Sequence, residues 1–570
     1  MYRDVYQEWL DSDILAGFEK AELRAVADDD DEIEYRFGKD LEFGTAGMRG
    51  IIGLGTNMMN LYTVKRATQG LCEYIKALGK KAIKRGVAIS YDTRKMSYEF
   101  AKIAAYTLSS NGIKAYLFDK VHPVPMLSFA VRKLHCIAGI MITASHNPKE
   151  YNGYKVYGED GAQMSPEATA EVVKYINDIK SPLFEGVLFK DGVKKRVKEI
   201  GKKVDVAYYK RIKKLILSPK EIKAVGKTIK PVYTPVHGSG YIPVTTVLHE
   251  LGIDPYIVKE QTDPDSEFST VNVPNPEYKE TLSMGISLAE EKKADMVFGT
   301  DPDCDRLGVA VRDDKGEFVV LSGNQTGILL TDYILSRLKE KKKLNKKGFL
   351  VKSFVTTGLV KKIADDYGVE LFDVPVGFKY IGEKIKQYDD TGKKKFIFAF
   401  EESCGYLRGT HARDKDAVVA SMLFAEMFCY YSYHGISVYE KLNEIYKKFG
   451  YAFDTAVSKN YSGISAMAEM NAAVDKMRTT DVWEIAGENI LARRDYKTLE
   501  RKTPDGKTES VNCSETNALY YELSNGSFIC LRPSGTEPKL KVYYSVTGES
   551  KEAAEERFNK LKAGFETLLN

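Results

Sequence analysis

The chain has 570 residues, 43% of them hydrophobic and 29% charged, with a net charge of +4; at ~150 residues per domain this is an ordinary globular composition for about four domains. Lys341-Lys342-Lys343 and Lys393-Lys394-Lys395 read as short solvated surface runs rather than nucleic-acid patches, so no nucleic-acid partner is expected. The longest apolar tract, Ala417 to Tyr431, contains Glu426 and is too short to span a bilayer, so it reads as a buried helix and no membrane partner is expected.

Residues 1–40 are polar and acidic, with helical spacing at Trp9, Leu10 and Phe18 and a solvent-facing run Asp28–Asp31. Phe43 to Gly50 then frames Arg49 with glycines, a backbone that can approach a ligand closely beside a planar donor fork. From Val87 a pattern recurs. Strand Val87–Tyr91 ends in Asp92-Thr93-Arg94; a helix Ser97–Ser110, strand Lys114–Phe118, a helix Pro125–Leu134 and strand Ile137–Ile142 follow. The second instance runs from Lys230–Thr234 through Pro255–Val258 to Ala294–Phe298, and the third from Phe349–Phe354 through Val369–Val374 to Lys395–Phe400. Three tandem α/β units of one architecture account for this repetition. Past Phe453 the texture becomes glycine-rich and polar, then β-like at Thr516–Leu523, Ser527–Leu531 and Leu540–Ser545, before a helix Lys551–Leu569. The fold expected is α/β: three mixed α/β domains (1–203, 204–322, 323–450) and a smaller C-terminal α+β domain (451–570), around a central active-site cleft.

Seven scattered cysteines with no C-x-x-C, and an opening Met1-Tyr2-Arg3-Asp4 without an apolar core, point to a reducing, cytoplasmic setting.

Four loops carry candidate chemistry. Thr143-Ala144-Ser145-His146-Asn147-Pro148 follows an apolar strand and holds a hydroxyl, an imidazole and an amide; alone it is equally a polar turn. In Asp301-Pro302-Asp303-Cys304-Asp305-Arg306, three carboxylates two residues apart converge in an extended loop, and a hard divalent cation is the natural neutraliser. Arg306 and Arg312 stand where an EF-hand needs glycine and glutamate, and no thiol or imidazole pattern favours zinc, leaving Mg²⁺. Phe400-Glu401-Glu402-Ser403 offers acceptors for sugar hydroxyls, and equally an acidic turn. Arg532-Pro533-Ser534-Gly535-Thr536 can cradle a phosphate, or be a basic β-turn.

Together, in this order, the four loops resemble those of the α-D-phosphohexomutase superfamily, over nearly the whole chain. The length, Tyr151 to Tyr157 and Phe400-Glu401-Glu402 are most similar to its longer phosphoglucomutase branch. The resemblance implies a phosphotransferase of isomerase type, interconverting glucose 1-phosphate and glucose 6-phosphate through a phosphoserine and glucose 1,6-bisphosphate, which also serves as activator. Phosphomannomutase, phosphopentomutase and sugar-bisphosphate synthase are the alternatives within the superfamily; a simple phosphatase is the alternative outside it. It implies phosphate on Ser145, Mg²⁺ held by Asp301, Asp303 and Asp305 with a phosphoserine oxygen, and a reaction centre lined by Arg49, His146, Lys155, Arg306 and Lys415. Gly377, Lys379, Glu401, Ser403 and His411 would meet the sugar phosphate, and Arg532, Ser534, Gly535 and Thr536 would grip the phosphate that is not reacting. A small phosphosugar is the implied partner, and the family supplies both monomers and homodimers. Phe400 stands where the family commonly has glycine.

Overall fold

A computed structural model describes residues 2–44, 47–179, 183, 193–462, 465–534 and 538–569. The chain folds into two compact units: residues 1–310 with 405–429, and residues 311–404 with 430–570.

In the first unit, Ala138–Ile142 is a strand buried along its whole length, as its unbroken apolar sequence requires of a strand covered on both faces. It pairs in parallel with Val87–Tyr91 and antiparallel with Tyr151–Gly158, inside a six-stranded sheet. The parallel register sets Tyr91 beside Ile142. The loop after each strand, 92–94 and 143–148, therefore leaves the same sheet edge. Helices Leu61–Ala77, Ser97–Ser110 and Val124–Leu134 cover the strands; the first is started by Asn60, whose side chain accepts from Tyr62 N and Thr63 N. A second sheet centres on Pro231–Thr234, parallel to both Tyr256–Ile257 and Met296–Thr300. Thr234 stands opposite Gly299, so loops 235–240 and 300–306 are neighbours for the same reason.

The amino-terminal segment forms three helices, Tyr2–Asp11, Gly17–Ala25 and Asp30–Phe37, around a core of Trp9, Leu23, Ile33 and Phe37. Asp29, in the acidic run, caps the third by accepting from Glu32 N. Phe18 differs from expectation. It is helical but 78% exposed, because at about 140° around the helix Gly17–Ala25 from the buried Leu23 it stands on the opposite side.

In the second unit, Gly348–Ser353 pairs in parallel with Glu370–Val374 and with Lys395–Glu401. A seven-stranded sheet follows, antiparallel throughout, in which the strand Tyr451–Asn460 lies against Lys539–Gly548 over ten residues. The helix Lys551–Leu569 covers it through Phe558, Leu561 and Phe565. These two sheets meet in a core where Phe354 stacks on Tyr496, ring centroids 4.2 Å apart. Ala417–Tyr433 is a helix, as its apolar run predicted, and among the described residues no helix is long and apolar enough to cross a membrane.

Candidate active site

Ser145 is nearly buried, and its backbone is left-handed (φ 52°), a conformation that a β-carbon makes costly. Its N–H donates to Thr143 Oγ1 at 2.8 Å. Its hydroxyl donates to Asp301 Oδ2 at 2.8 Å and lies 3.2 Å from His146 Nδ1. Ser145 and the aspartate loop 301–306, whose Asp301 is 156 residues away, therefore meet in one place within the first unit.

The aspartate loop 301–306 is held by its backbone carbonyls. Ser239 donates through both N and Oγ to Pro302 O, each at 2.8 Å. Val124 N donates to Asp303 O at 3.0 Å, and Ala417 N to Cys304 O at 3.3 Å. Gly238 lets the loops touch: a Cβ there would stand 2.7 Å from Pro302 Cα. The loop then folds back on itself, with Asp305 N and Arg306 N both donating to Asp301 Oδ1 at 3.0 and 2.9 Å.

The three carboxylates are buried, and each offers an oxygen within 4.8 Å of the others. Asp303 Oδ1 and Asp305 Oδ1 have no hydrogen-bond partner. Buried acceptors left open on an all-oxygen donor set fit a hard divalent cation. The electrostatics agree. Burial, then the charges of Asp303 and Asp305, push Asp301 well above the usual carboxylate range. Burial and Asp303 likewise raise Asp305. Burial alone would raise Asp303 too, but the Lys155 ammonium, 3.0 Å from its Oδ2, leads the interactions that overrule it, and the group is held low. A bound cation removes the conflict that raises the other two.

Lys415 Nζ lies 3.0 Å from Asp305 Oδ2. Its two neighbours in sequence anchor it: Asp414 accepts from Tyr157 OH and Gln163 Nε2 at 2.9 and 3.1 Å, and Asp416 from Tyr208 OH. His411 is buried, its Nε2 2.7 Å from Asp416 Oδ2. Burial first, then the charges of Arg306 and Arg49, push the His146 imidazolium down to about 2, so this ring is neutral at physiological pH. Arg49 donates to Asn147 Oδ1 at 2.9 Å. Its strand, Gly47–Ile51, sets Arg49 opposite Gly153, where a Cβ would stand 2.5 Å from Thr143 O. Arg306 pairs with Glu277. Sequence reasoning did not single out Glu277, Tyr208 or Arg94; the last lies on the same sheet edge as Ser145 and was legible only as the end of an apolar strand.

In the second unit, Gly377 N donates to Glu401 Oε1 at 2.7 Å, so the glycine-lysine turn and the acidic loop meet. Lys379 stands over the Tyr380 ring. Glu402 accepts from Ser353 and Thr356 hydroxyls at 3.0 and 3.1 Å, while Ser403 is half-buried. Tyr543, raised by burial, feels both Glu402 and Arg532, which brings the acidic and arginine loops into one neighbourhood. Ser534 N donates to Lys539 O at 2.8 Å. Gly535 and Thr536 lie outside the described residues.

A serine bonded to one of three convergent buried carboxylates, at the carboxyl ends of α/β strands, is the equipment of a metal-assisted phosphoryl-transfer enzyme. Comparison with known proteins narrows the class. Residues 40–182, 207–316 and 322–449 match the phosphoglucomutase/phosphomannomutase α/β/α domains I, II and III, and residues 469–560 the C-terminal domain of the same family. The chain is 36% identical over 547 residues to a phosphoglucomutase of Staphylococcus haemolyticus, covering 95% of this chain and 96% of that one. It is 38% identical over 520 residues to a phosphoglucomutase of Staphylococcus aureus, covering 90% and 91%. In fold it is similar to parafusin, a phosphoglucomutase of Paramecium in its open form (TM-score 0.66, 18% identity, 93% of this chain and 94% of that one). The chain belongs to the phosphoglucomutase/phosphomannomutase family, with the four-domain α/β architecture expected from its sequence.

Proposed function

We propose that this enzyme interconverts glucose 1-phosphate and glucose 6-phosphate, with Ser145 as the phosphate carrier, Mg²⁺ as the cation and glucose 1,6-bisphosphate as intermediate and activator. The observation that carries the reading is the 2.8 Å hydrogen bond from Ser145 Oγ to Asp301 Oδ2. It joins the hydroxyl of the first loop to the carboxylates of the second.

Phosphoryl transfer is governed by position and charge. The free sugar hydroxyl attacks the phosphorus on Ser145 and the bond to Oγ breaks; an ammonium beside the site gives a proton to the departing Oγ, and the amine so formed takes up the proton of the sugar hydroxyl. Lys155 and Lys415, ion-paired with the carboxylates at 3.0 Å each, are the candidates. His146, neutral and 3.2 Å from Oγ, orients the serine. The bisphosphate then turns, and its other phosphate returns to Oγ. Asp301, Asp303 and Asp305 would hold Mg²⁺, which when bound supplies positive charge to the transferring group. Arg49 and Arg306 steer the anion. In this reading Gly377, Lys379, Glu401, Ser403 and His411 serve sugar recognition, and Arg532, Ser534, Gly535 and Thr536 grip the phosphate at rest.

The test is direct. Purified protein with Mg²⁺ and a trace of glucose 1,6-bisphosphate should convert glucose 1-phosphate to glucose 6-phosphate. Ser145→Ala should lower kcat at least ~1,000-fold; turnover at the wild-type rate would remove Ser145 from the mechanism. Faster turnover of mannose, N-acetylglucosamine or pentose phosphates in the same assay would reassign the sugar.

A further inference from the structure

We propose that Arg94 is a positioning residue for the phosphate carrier: one buried guanidinium holds the whole Ser145 loop by its carbonyls. The inference rests on the reading that Ser145 carries phosphate. Arg94 follows the strand Val87–Tyr91, and its side chain is fully buried. Nη2 donates to Ser145 O at 2.6 Å and Asn147 O at 2.5 Å. Nη1 donates to Pro148 O at 2.9 Å and Tyr151 O at 3.1 Å. Every hydrogen bond made by this guanidinium among the described residues ends on the segment 145–151.

The remaining edge and one face are also occupied. Nε faces Asp92 Oδ2 at 3.5 Å, and Asp92 is itself fixed by Arg94 N at 3.0 Å and Ser97 Oγ at 2.7 Å on its other oxygen. Phe268 lies 5.1 Å from Arg94 Cζ. It is buried and left-handed in backbone (φ 46°), and it comes from the loop after the second sheet's strand Tyr256–Ile257. The same stretch sends Glu267 to Lys149 at 2.8 Å. The domain that carries the carboxylates therefore presses on the clamp that shapes the serine loop.

A guanidinium is suited to this because its five N–H groups lie in one plane at fixed angles. Four carbonyls that must point at it leave the loop one shape. That shape includes the left-handed Ser145, which is unfavourable for a non-glycine residue, and charge-assisted hydrogen bonds offset its cost. A carrier that serves two different hydroxyls in turn needs this: the substrate moves, and the serine must not. A displacement of about 1 Å at a reacting atom costs on the order of 100-fold in rate. A buried arginine that merely glued the fold together would spread its bonds over several elements; these converge on the reactive one.

The experiment separates rate from amount. Wild type, Arg94→Lys, Arg94→Ala and Phe268→Ala, each freed of phosphate, are mixed with glucose 1,6-bisphosphate and Mg²⁺ in excess, quenched at intervals and read by intact mass and peptide mapping. Positioning predicts that the Arg94 variants reach the same final phosphorylation of Ser145 about 100-fold more slowly. Their kcat should fall by the same factor, with KM for glucose 1-phosphate within about threefold. Phe268→Ala, which keeps all four carbonyl bonds, should slow the step about 10-fold. A loss of amplitude or thermal stability at unchanged rate overturns the proposal and leaves a structural arginine. Should Arg94→Ala fail to fold, the lysine and Phe268 variants decide. If Ser145→Ala gains phosphate at the wild-type rate, the carrier assignment itself falls and the proposal with it; if phosphate maps to Ser145 and the Arg94 rates are unchanged, only the positioning role falls.

Discussion

The Phe400 ring packs against the helix Gly323–Glu340, which makes room for it at one position. Gly327 lies in the second turn of the helix Gly323–Glu340, inside which glycine is about 1 kcal/mol worse than alanine. A Cβ built there would stand 2.0 Å from Phe400 Cε2, so the glycine exists to admit the ring. Gly327→Ala should therefore lower the melting temperature, at a cost of about 1–3 kcal/mol from overpacking, against its favourable helix propensity. Phe400→Leu in the same protein should recover part of that loss, so that the pair is less costly than the sum of the two singles. A rise in melting temperature for Gly327→Ala alone would show that the ring yields freely. Close approaches of this kind, like the Arg94 clamp, join residues far apart in sequence, and no local spacing announces them. Arg94 could be singled out only by asking what a charged residue does just past the end of a largely apolar strand. Asp301, Asp303 and Asp305 were legible because their chemistry is written at alternate positions of one short loop.

Strands differ in legibility for a related reason. Val87–Tyr91, Ala138–Ile142 and Met296–Thr300 are buried at every position, and their apolar runs mark them within about two residues. Tyr451–Asn460 is half-buried for most of its length and carries Asp454, Ser458 and Lys459, so it has neither an apolar run nor clean alternation and passes for a loop. The helix Ala466–Thr479 was hidden the same way, its buried face made of Met470, Val474 and Met477 among small residues. That missed strand holds a strongly displaced acid. Asp454 lies opposite Ser545 and accepts its hydroxyl at 2.5 Å; Ser545 Oγ in turn accepts from Gly358 N at 3.1 Å. Burial, opposed by hydrogen bonds from Ser545 and Thr357, pushes Asp454 up to about 6. The folded state thus holds the proton more tightly than the unfolded chain, where an aspartate titrates near ~3.9. Stability from this group is fully present below about pH 4 and is lost as pH rises through about 6. Asp454→Asn keeps the acceptor without the charge. It should flatten the decline in melting temperature between pH 4 and 6.5 and stabilise the protein at pH 7 by about 1–2 kcal/mol, discounted for partial exposure. An unchanged pH profile in the variant would remove Asp454 as its source.

At the scale of the molecule, the compact units do not follow the family's domain borders. The third family domain spans residues 322–449, yet residues 405–429 within it belong to the unit of Ser145 and the three carboxylates. The reason lies in specific bonds: Tyr157 to Asp414, Tyr208 to Asp416, and Lys415 to Asp305. The first unit thereby holds the charges that answer the carboxylates, and a cation bound there should stabilise that unit alone. At 100 times its dissociation constant, Mg²⁺ adds about 2.7 kcal/mol to whatever binds it, which for a unit of this size is a shift of about 4 °C. Calorimetry of the full chain with EDTA and then with excess Mg²⁺ should resolve two transitions, of which Mg²⁺ raises one. Asp303→Asn should abolish that rise and leave the other transition where it was. The variant also takes the paired carboxylate from Lys155, 3.0 Å away, whose charge holds Asp303 low, so its first transition in EDTA should lie below that of the wild type. Equal movement of both transitions with Mg²⁺, or a rise that survives Asp303→Asn, would mean that the cation is held elsewhere than by Asp301, Asp303 and Asp305.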